Sequence, residues 1–260
     1  MKKCNLCESD KVNLMLKVGN YKIYKCENCH VKFLYLFPEN IEKIYDEEYF
    51  KKWYLSSYKE RKKYFKLLLG KIKINEYVFP GSKLIDIGCG IGIFLEIMKE
   101  KNYEVYGQDI SDFAVDFCVK KGFRMYDKPM SEIDLPENFF DLVTLFDVIA
   151  HLKKPNIYLQ KCKRILKKKG ILIIKTPLHS NFIFFIAKFF SFTEKAKSIL
   201  HLPAQIYHFD KNSIYKISEI SGFKIEKIFL IKEFIEKKIS LVNIWKFLFE
   251  KSMIVILRNE

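Results

Sequence analysis

The amino-acid sequence predicts an α/β fold with a parallel sheet, preceded by a small cysteine-rich module. The segment SKLIDIG, residues 82–88, is a short apolar run typical of a buried strand. Three glycines at alternate positions join it to the helical pattern IFLEIMKEKN. This strand, turn and helix form the repeating unit of open parallel sheets, whose ligands bind at the carboxyl edge. Two Cys-x-x-Cys motifs near the amino terminus predict the additional module.

The length and composition are those of a globular protein. The chain has 260 residues, of which 49% are hydrophobic, enough for one ordinary domain and a small appendage. We expect no signal peptide, because MKKCNLCESD is polar, and no run of about 18 apolar residues occurs, so a cytoplasmic location is expected. The net charge of +15 would suit a polyanionic partner, but the lysines are spread along the chain and are interpreted as solvated surface.

The amino-terminal cysteines have the spacing of a metal site. Cys4 and Cys7 form one Cys-x-x-Cys motif and Cys26 and Cys29 a second, with 18 residues between them. Two such motifs converge on one tetrahedral Zn²⁺, and four thiolates leave no open position for catalysis. The alternating segment NLMLKVGNYKIYKC between them predicts a β-hairpin. We therefore predict a zinc ribbon over residues 1–37, held together by a structural zinc ion.

A helical pattern follows Pro38. Apolar and aromatic residues recur at three- to four-residue intervals and predict a helical linker over residues 38–78. Two interpretations of its tyrosines remain open, core packing or a lid over a ligand; these are Tyr45, Tyr49, Tyr54 and Tyr58.

The glycine turn limits the ligands that can bind there. A phosphate-binding P-loop requires Lys-Ser or Lys-Thr after its last glycine, and neither follows here. A dinucleotide fingerprint requires a third glycine where this chain has Ile93, because Gly92 falls one residue early. An NAD-dependent oxidoreductase therefore stays only as a secondary alternative.

The segment DIGCGIG, residues 86–92, resembles the first motif of the class I S-adenosylmethionine-dependent methyltransferases. Four later segments resemble further landmarks of that family in the same order: YEVYGQDIS, DLVTLFDVIAHLKKP, ILKKKGILIIKTP and IYHFDKNSIYKISEISGFKIEKI. The resemblance covers about residues 80–230. It implies a Rossmann-like, seven-stranded methyltransferase sheet with helices on both faces over residues 79–260, and S-adenosyl-L-methionine as cofactor. Two Cys-x-x-Cys pairs, then IYDEEYF, then this core resemble zinc-ribbon bacterial methyltransferases acting on sugars and other small molecules.

The resemblance also implies which residues bind the cofactor. The methionine moiety would be held by Asp86 and by the backbone of the turn at Gly88, Gly90 and Gly92. Asp109 ends the next strand, where a carboxylate can accept hydrogen bonds from ribose hydroxyls. Ile110, Ser131 and Glu132 would border the adenine, and Phe146 and Asp147 would form the floor near the reactive sulfur.

Histidines are the candidate bases. Methyl transfer is an in-line displacement in which the protein chiefly orients donor and acceptor, but an acceptor hydroxyl often needs a base. His151 follows the fourth strand, where relatives often have Glu-His and this chain has Ala150-His151. His208 is the second candidate and His179 the third. The alternative for each is a hydrogen-bonded structural histidine.

Two apolar segments occupy the positions of substrate-covering insertions, about residues 180–206 and 232–251. The first contains SNFIFFIAKFFSF, which is apolar almost all round, and the second has the pattern of an amphipathic helix. They either pack into the core or, if exposed, contact a membrane surface or a lipid-linked acceptor.

The functional hypothesis is methyl transfer to a small-molecule acceptor, such as a sugar or a lipid-linked envelope precursor. One alternative is an RNA methyltransferase whose ribbon contacts RNA. The ribbon is only mildly basic, which disfavours nucleic acid as a partner. A non-catalytic scaffold is least favoured, because the glycine turn and Asp109 are intact. The sequence does not predict the acceptor, C- or O-methylation, or the oligomeric state.

Overall fold

A computed structural model describes residues 2–35, 45–232 and 251–260. Its strands form a four-stranded sheet and a seven-stranded sheet. The smaller sheet contains β1 (Val12–Val18), β2 (Tyr21–Cys26), β3 (Lys32–Leu34) and β9 (Tyr207–His208), in that order. β1 and β2 pair antiparallel around Gly19 and Asn20, which is the hairpin that the alternating sequence predicts.

The seven-stranded sheet has the order β10-β11-β8-β7-β4-β5-β6. Its strands are β4 (Lys83–Ile87), β5 (Glu104–Gln108), β6 (Arg124–Tyr126), β7 (Phe140–Phe146), β8 (Leu166–Pro177), β10 (Phe223–Lys232) and β11 (Lys251–Asn259). β4 to β8 pair in parallel, whereas β11 lies antiparallel between β8 and β10. The predicted seven-stranded Rossmann-like sheet is confirmed.

Helices cover both faces of the large sheet. They are α1 (Glu47–Trp53), α2 (Tyr58–Lys71), α3 (Ile93–Lys99), α4 (Asp112–Lys120), α5 (Pro155–Ile165), α6 (Asn181–Phe189), α7 (Glu194–Ile199) and α8 (Lys211–Ser221). Alternate residues of β8 belong to different apolar clusters: Ile173 packs with α2, α3 and α4, and Ile174 with α5, α8 and the ribbon. This alternation gives three layers, because successive strand side chains point to opposite faces.

Chain order and sheet register bring three loops to one edge. β4, β5 and β7 are neighbours, and Ile87 lies beside both Gln108 and Leu145. The segments that follow these strands, starting at Gly88, Asp109 and Asp147, are therefore adjacent at the carboxyl edge. Open parallel sheets bind ligands at this edge.

The ribbon and the segment before α8 share a sheet. β3 pairs antiparallel with β9, where Phe33 lies opposite Tyr207. Buried ribbon residues and buried residues of α6 and α7 belong to one apolar cluster. The predicted insertion at 180–206 contains α6 and α7, whereas the predicted insertion at 232–251 lies almost wholly outside the described residues. None of the helices in the described part of the chain has the length and apolarity needed to cross a membrane.

Candidate functional site

The glycine turn after β4 has a backbone that side chains rarely adopt. Gly88, Gly90 and Gly92 have φ of +67°, +55° and +72°. A Cβ on Gly88 would lie 2.5 Å from Val148 Cγ2, and one on Gly92 would lie 2.8 Å from Cys118 Sγ. Both glycines are therefore required by packing as well as by φ. A Cβ on Gly90 would instead lie 3.4 Å from the rings of Phe50 and Tyr54.

Asp109 supports the turn from the adjacent strand. Its Oδ2 accepts the Gly90 N–H at 2.8 Å, and its Oδ1 accepts the Ser111 N–H at 3.0 Å. The carboxyl is 7% exposed, and burial raises its pKa. A carboxylate offers about four lone-pair positions, so two remain for hydroxyl donors of a ligand. Gln108 also contributes, because its backbone oxygen accepts the N–H groups of Gly88 and Cys89.

Asp86 lies beneath the turn and does not face the cavity. Its Oδ1 accepts the hydroxyl of Thr144 on the neighbouring strand at 2.6 Å, and the residue is 3% exposed. Burial raises the pKa of its carboxyl to about 8. Gly92 is likewise buried under the turn, at the start of α3. The structure therefore places these two predicted residues behind the cavity wall.

One cavity of about 540 Å³ opens at this edge of the sheet. Its volume is within the usual range for cofactor and substrate pockets. The predicted site residues that line it are Gly88, Gly90, Asp109, Ile110, Ser131, Glu132, Phe146, Asp147 and His151. Most of the cofactor-binding set expected from the resemblance thus faces one space.

Aromatic residues from the helical linker form one wall. Tyr45, Tyr49, Phe50 and Tyr54 line the cavity. Tyr49 and Phe50 are in edge-to-face contact, with ring centroids 5.3 Å apart, and Phe50 packs on Tyr54 at the same distance. Tyr58 points elsewhere and donates to Glu96 on α3. Of the two interpretations of these tyrosines, a cover over the cavity fits the first three.

A lysine fixes the loop that carries Ser131 and Glu132. Lys161 on α5 donates to the carbonyls of Met130 at 2.7 Å, Ser131 at 2.8 Å and Ile133 at 3.1 Å. Ser131 and Glu132 are otherwise exposed. Three bonds from one ammonium group therefore hold the loop in the orientation in which it borders the cavity.

Phe146 and Asp147, the two residues predicted to form the floor, line the cavity at the end of β7. Phe146 is held edge-on between Phe65 and Phe94, at 5.3 and 5.0 Å between ring centroids. Asp147 has a φ of +60°, and its Oδ2 pairs with the buried Lys175 Nζ at 2.5 Å. A left-handed conformation is rare in a non-glycine residue, and such strain is typical of functional sites.

His151 lies on the turn after β7, and one of its ring nitrogens makes a hydrogen bond to the backbone. Its Nδ1 is 2.8 Å from the carbonyl oxygen of Ala204, so Nδ1 carries the proton and donates it. Burial lowers the pKa of the imidazole below its usual 6.5. The ring is therefore neutral near pH 7, and the lone pair is on Nε2.

The structure does not bring His208 or His179 to the cavity. His208 is fully buried on β9, and neither of its ring nitrogens has a hydrogen-bond partner among the described residues. Its ring lies 4.7 Å from that of His179, next to the buried Lys32. Burial lowers the pKa of His179 to about 3 and that of His208 far below 6.5, so both are neutral core residues.

A short segment, residues 204–206, connects the ribbon to His151. Its Ile206 carbonyl accepts the N–H of Leu34 at 2.9 Å, and its Ile206 N–H donates to Ala150 at 2.9 Å. The Ala204 carbonyl then accepts from His151. We call residues 204–206 the strap, because it is bonded to the ribbon on one side and to the histidine turn on the other.

The four predicted cysteine ligands meet at one point. The Sγ atoms of Cys4, Cys7, Cys26 and Cys29 lie within 4.8 Å of one another. The Cys4–Cys29 and Cys7–Cys26 pairs are each 3.6 Å apart. A tetrahedral Zn²⁺ with Zn–S bonds of about 2.3 Å requires an S···S separation of about 3.8 Å. Burial raises the pKa of the Cys26 thiol to about 11, and a bound cation would favour its thiolate form.

Several cavity residues were not predicted from the sequence. Phe50, Gln108 and Ala204 line the cavity, together with Pro129, Val148, Leu152, Lys153, Lys154, Ile157 and Tyr158. Of these residues, Gln108 had the clearest signal in the sequence, because it directly precedes the predicted Asp109. Ala204 carries no chemical signal in its side chain, because it acts through its carbonyl oxygen.

The strand order, the glycine turn and the cavity together define the fold of a class I S-adenosylmethionine-dependent methyltransferase. Residues 54–228 match a protein family described as "Methyltransferase domain". This protein belongs to that family.

Individual methyltransferases are also similar in sequence to this chain. A ubiquinone biosynthesis O-methyltransferase from Haemophilus ducreyi is 30% identical over 107 residues, which cover 37% of this chain and 45% of the relative. The mitochondrial one from Schizosaccharomyces pombe is 26% identical over 163 residues, 60% of this chain and 57% of the relative. The chain thus matches about half the length of these curated relatives.

A solved structure shows the same architecture. A SAM-dependent methyltransferase from Archaeoglobus fulgidus superimposes with a TM-score of 0.56 at 20% identity, covering 78% of this chain and 98% of that chain. At this level of identity the likeness concerns the fold.

Proposed function

We propose that this protein transfers a methyl group from S-adenosyl-L-methionine to a hydroxyl oxygen of a small-molecule acceptor. The observation that carries the proposal is the placement of the His151 imidazole beside the cavity bordered by the glycine turn and Asp109. The family match supports the cofactor, and the names of the two relatives support an oxygen as the atom that is methylated.

The cofactor, when bound, supplies an activated methyl group on a sulfonium. The backbone at Gly88 and Gly90 would hold its methionine moiety, and Asp109 would accept hydrogen bonds from its ribose hydroxyls. Ile110 and the loop held by Lys161 would border its adenine. These contacts orient the donor, which is the main contribution of a protein to an in-line displacement.

His151 is the proposed general base. Its Nδ1–H bond to the Ala204 carbonyl fixes the tautomer and the ring orientation. Nε2 can then accept the proton of an acceptor hydroxyl as the oxygen is methylated. The lowered pKa keeps this nitrogen unprotonated down to slightly acidic pH. Phe146, Val148 and the tyrosine wall exclude water from the same space.

We further propose that the acceptor carries a ring or apolar part and an anionic group, as a sugar phosphate or a lipid-linked precursor does. The tyrosine wall offers faces on which a ring can stack. Lys153 and Lys154, immediately before α5, line the cavity and supply positive charge there. The zinc ribbon is proposed to bind one structural Zn²⁺ through Cys4, Cys7, Cys26 and Cys29, which the S···S distances support.

The first experiment is calorimetric titration with S-adenosylhomocysteine, with NAD as the comparison ligand. We expect binding of the former and none of the latter. Absence of S-adenosylhomocysteine binding by folded protein would refute the proposal. Transfer from labelled S-adenosylmethionine would then be measured against phenolic, sugar-phosphate and prenyl-linked acceptors.

The base is tested separately. His151→Gln should bind S-adenosylhomocysteine as the parent does and lose about 100-fold in turnover, within the usual contribution of a general base. His179→Gln is the matched control, since that buried histidine does not line the cavity. Parent turnover by His151→Gln would remove this residue from the role while leaving the cofactor assignment intact.

A further inference from the structure

Helix α6 presents phenylalanines on both of its sides. Ile183, Phe184 and Ala187 are buried against the core. The opposite side and the following turn carry Phe182, Phe185, Phe189 and Phe192, which are 52%, 70%, 80% and 100% exposed. We call these four residues the aromatic face. A helix that is apolar all round is normally buried on all sides, so this exposure indicates a surface made for contact.

Three members of the aromatic face share one side of α6. Phe182, Phe185 and Phe189 are separated by three and four residues, which places them on one side of successive helical turns, and Phe192 lies in the turn that follows the helix. An isolated exposed phenylalanine needs no explanation, but a contiguous group of four is a patch of the kind found at protein or membrane contacts.

Lysines outnumber acidic residues in the segments that adjoin the aromatic face. α6 packs beside β1, and the tip of the β1–β2 hairpin reaches α7, where the ideal Cβ position on Gly19 is 3.3 Å from Lys197 Cε. Residues 17–22 and 181–197 contain five lysines, Lys17, Lys22, Lys188, Lys195 and Lys197, and a single acidic residue, Glu194. Lys17, Lys22, Lys188 and Lys195 are exposed, and Glu194 pairs with Lys197.

We propose that the aromatic face docks on an anionic lipid bilayer. Exposed phenylalanines would enter the interfacial region of the bilayer, and the exposed lysines of the adjoining segments would contact anionic headgroups. A second copy of the chain fits less well, because a symmetric contact would bring the two lysine groups together and they would repel. Charge complementarity therefore selects the bilayer.

The aromatic face lies in the same insertion as a cavity residue, which gives docking on a bilayer a functional consequence. α6 and α7 belong to the same insertion as Ala204, whose carbonyl holds His151 and which lines the cavity. A bilayer-bound enzyme would receive lipid-linked acceptors by diffusion in two dimensions. Docking depends on this surface alone, so vesicle binding can be measured whichever acceptor the protein methylates.

The test is co-sedimentation of the full chain with vesicles. We expect binding to vesicles of phosphatidylcholine with phosphatidylglycerol, weaker binding to pure phosphatidylcholine, and release at high salt. Phe185→Ser/Phe189→Ser should lower the partition onto anionic vesicles by about tenfold or more. Lys188→Glu/Lys195→Glu should weaken binding chiefly at low salt.

Phe79→Ser is the matched control. Phe79 is 65% exposed but precedes β4, at the opposite edge of the sheet, so its loss should leave vesicle binding unchanged. S-adenosylhomocysteine titration and thermal unfolding check that every variant is folded. Absence of parent binding to anionic vesicles, or equal binding by the double serine variant, would overturn the proposal. A concentration-dependent dimer that the same variant dissociates, without vesicle binding, would assign the face to a second copy and also overturn it.

Discussion

Gly90→Ala isolates the contribution of the glycine turn to cofactor binding. Gly90 has a φ of +55°, and an alanine in this left-handed region costs roughly 1–2 kcal/mol. The smaller entropy of the unfolded alanine chain offsets about 0.4–1 kcal/mol of this. We therefore expect a net loss of about 1 kcal/mol in the free energy of unfolding.

The effect on binding comes from the space that the new methyl group occupies. The added Cβ would lie 3.4 Å from Phe50 Cε1 and from Tyr54 Cε1, between the turn and the aromatic wall. All three residues line the cavity, so the methyl group takes the place that a ligand must occupy. We expect at least a tenfold loss of affinity for S-adenosylhomocysteine, about 1.4 kcal/mol.

Gly81→Ala is the matched control for this substitution. Gly81 also has a positive φ, +90°, but its Cβ would meet nothing within 4 Å, and the residue lies at the opposite edge of the sheet. Both variants should lose similar stability in urea unfolding, and only Gly90→Ala should lose affinity in calorimetric titration. Parent affinity in folded Gly90→Ala would show that the cofactor is not seated on this turn. Equal loss in both variants would attribute the effect to stability instead.

Three further predictions concern the surroundings of the site. Lys161→Met removes three hydrogen bonds to the loop at 130–133. It should weaken S-adenosylhomocysteine binding several-fold in calorimetric titration. An unchanged affinity would show that the loop holds its position without the lysine. Removal of zinc by a chelator should lower turnover more than cofactor affinity, because the strap joins the ribbon to His151 and not to the glycine turn; equal losses would contradict this role of the strap. His208→Phe should change the pH dependence of the free energy of unfolding. A protein with a histidine whose folded pKa is depressed loses stability as pH falls below the unfolded pKa of about 6.5. Between pH 7.5 and 5.5 the variant should therefore lose about 1.4 kcal/mol less than the parent. The comparison with the parent is needed because Asp86, whose raised pKa of about 8 acts in the opposite direction, is present in both proteins. Parallel curves of unfolding free energy against pH would refute the depressed pKa of His208.

The sequence was sufficient to predict contacts between residues that are close in the chain. The apolar run before Gly88 predicts β4, and alternate glycines predict the turn, because only glycine adopts positive φ at no steric cost. The Cys-x-x-Cys spacing places Cys4 with Cys7 and Cys26 with Cys29 by local geometry, and the hairpin between them brings the pairs together. The later landmarks carry the resemblance that implies a seven-stranded sheet, and the structure has that sheet.

The boundary between α5 and β8 shows where local patterns stop being informative. The segment ILKKKGILIIKTP resembles the family's fifth strand preceded by a lysine-rich helix end and a glycine, and this resemblance implies a strand that begins after Gly170. In the structure α5 ends at Ile165, and β8 begins at Leu166 and contains the lysines, with an irregularity between Leu166 and Ile171. Pairing of Leu166 with Phe140 on the neighbouring strand decides this, and helix propensity does not.

By itself the sequence determined the α/β fold, the four cysteines proposed as metal ligands and the seat proposed for the cofactor, because each depends on residues that are close in the chain or on the order of the strands along it. Only the tertiary structure separated His151 from His208, since the two have the same chemistry and differ in what surrounds them. His151 meets the cavity and the carbonyl of Ala204, 53 residues away, whereas His208 is enclosed by β3 and α6. Burial and hydrogen bonding between distant segments set the tautomer and the pKa of a histidine, and no local pattern encodes them.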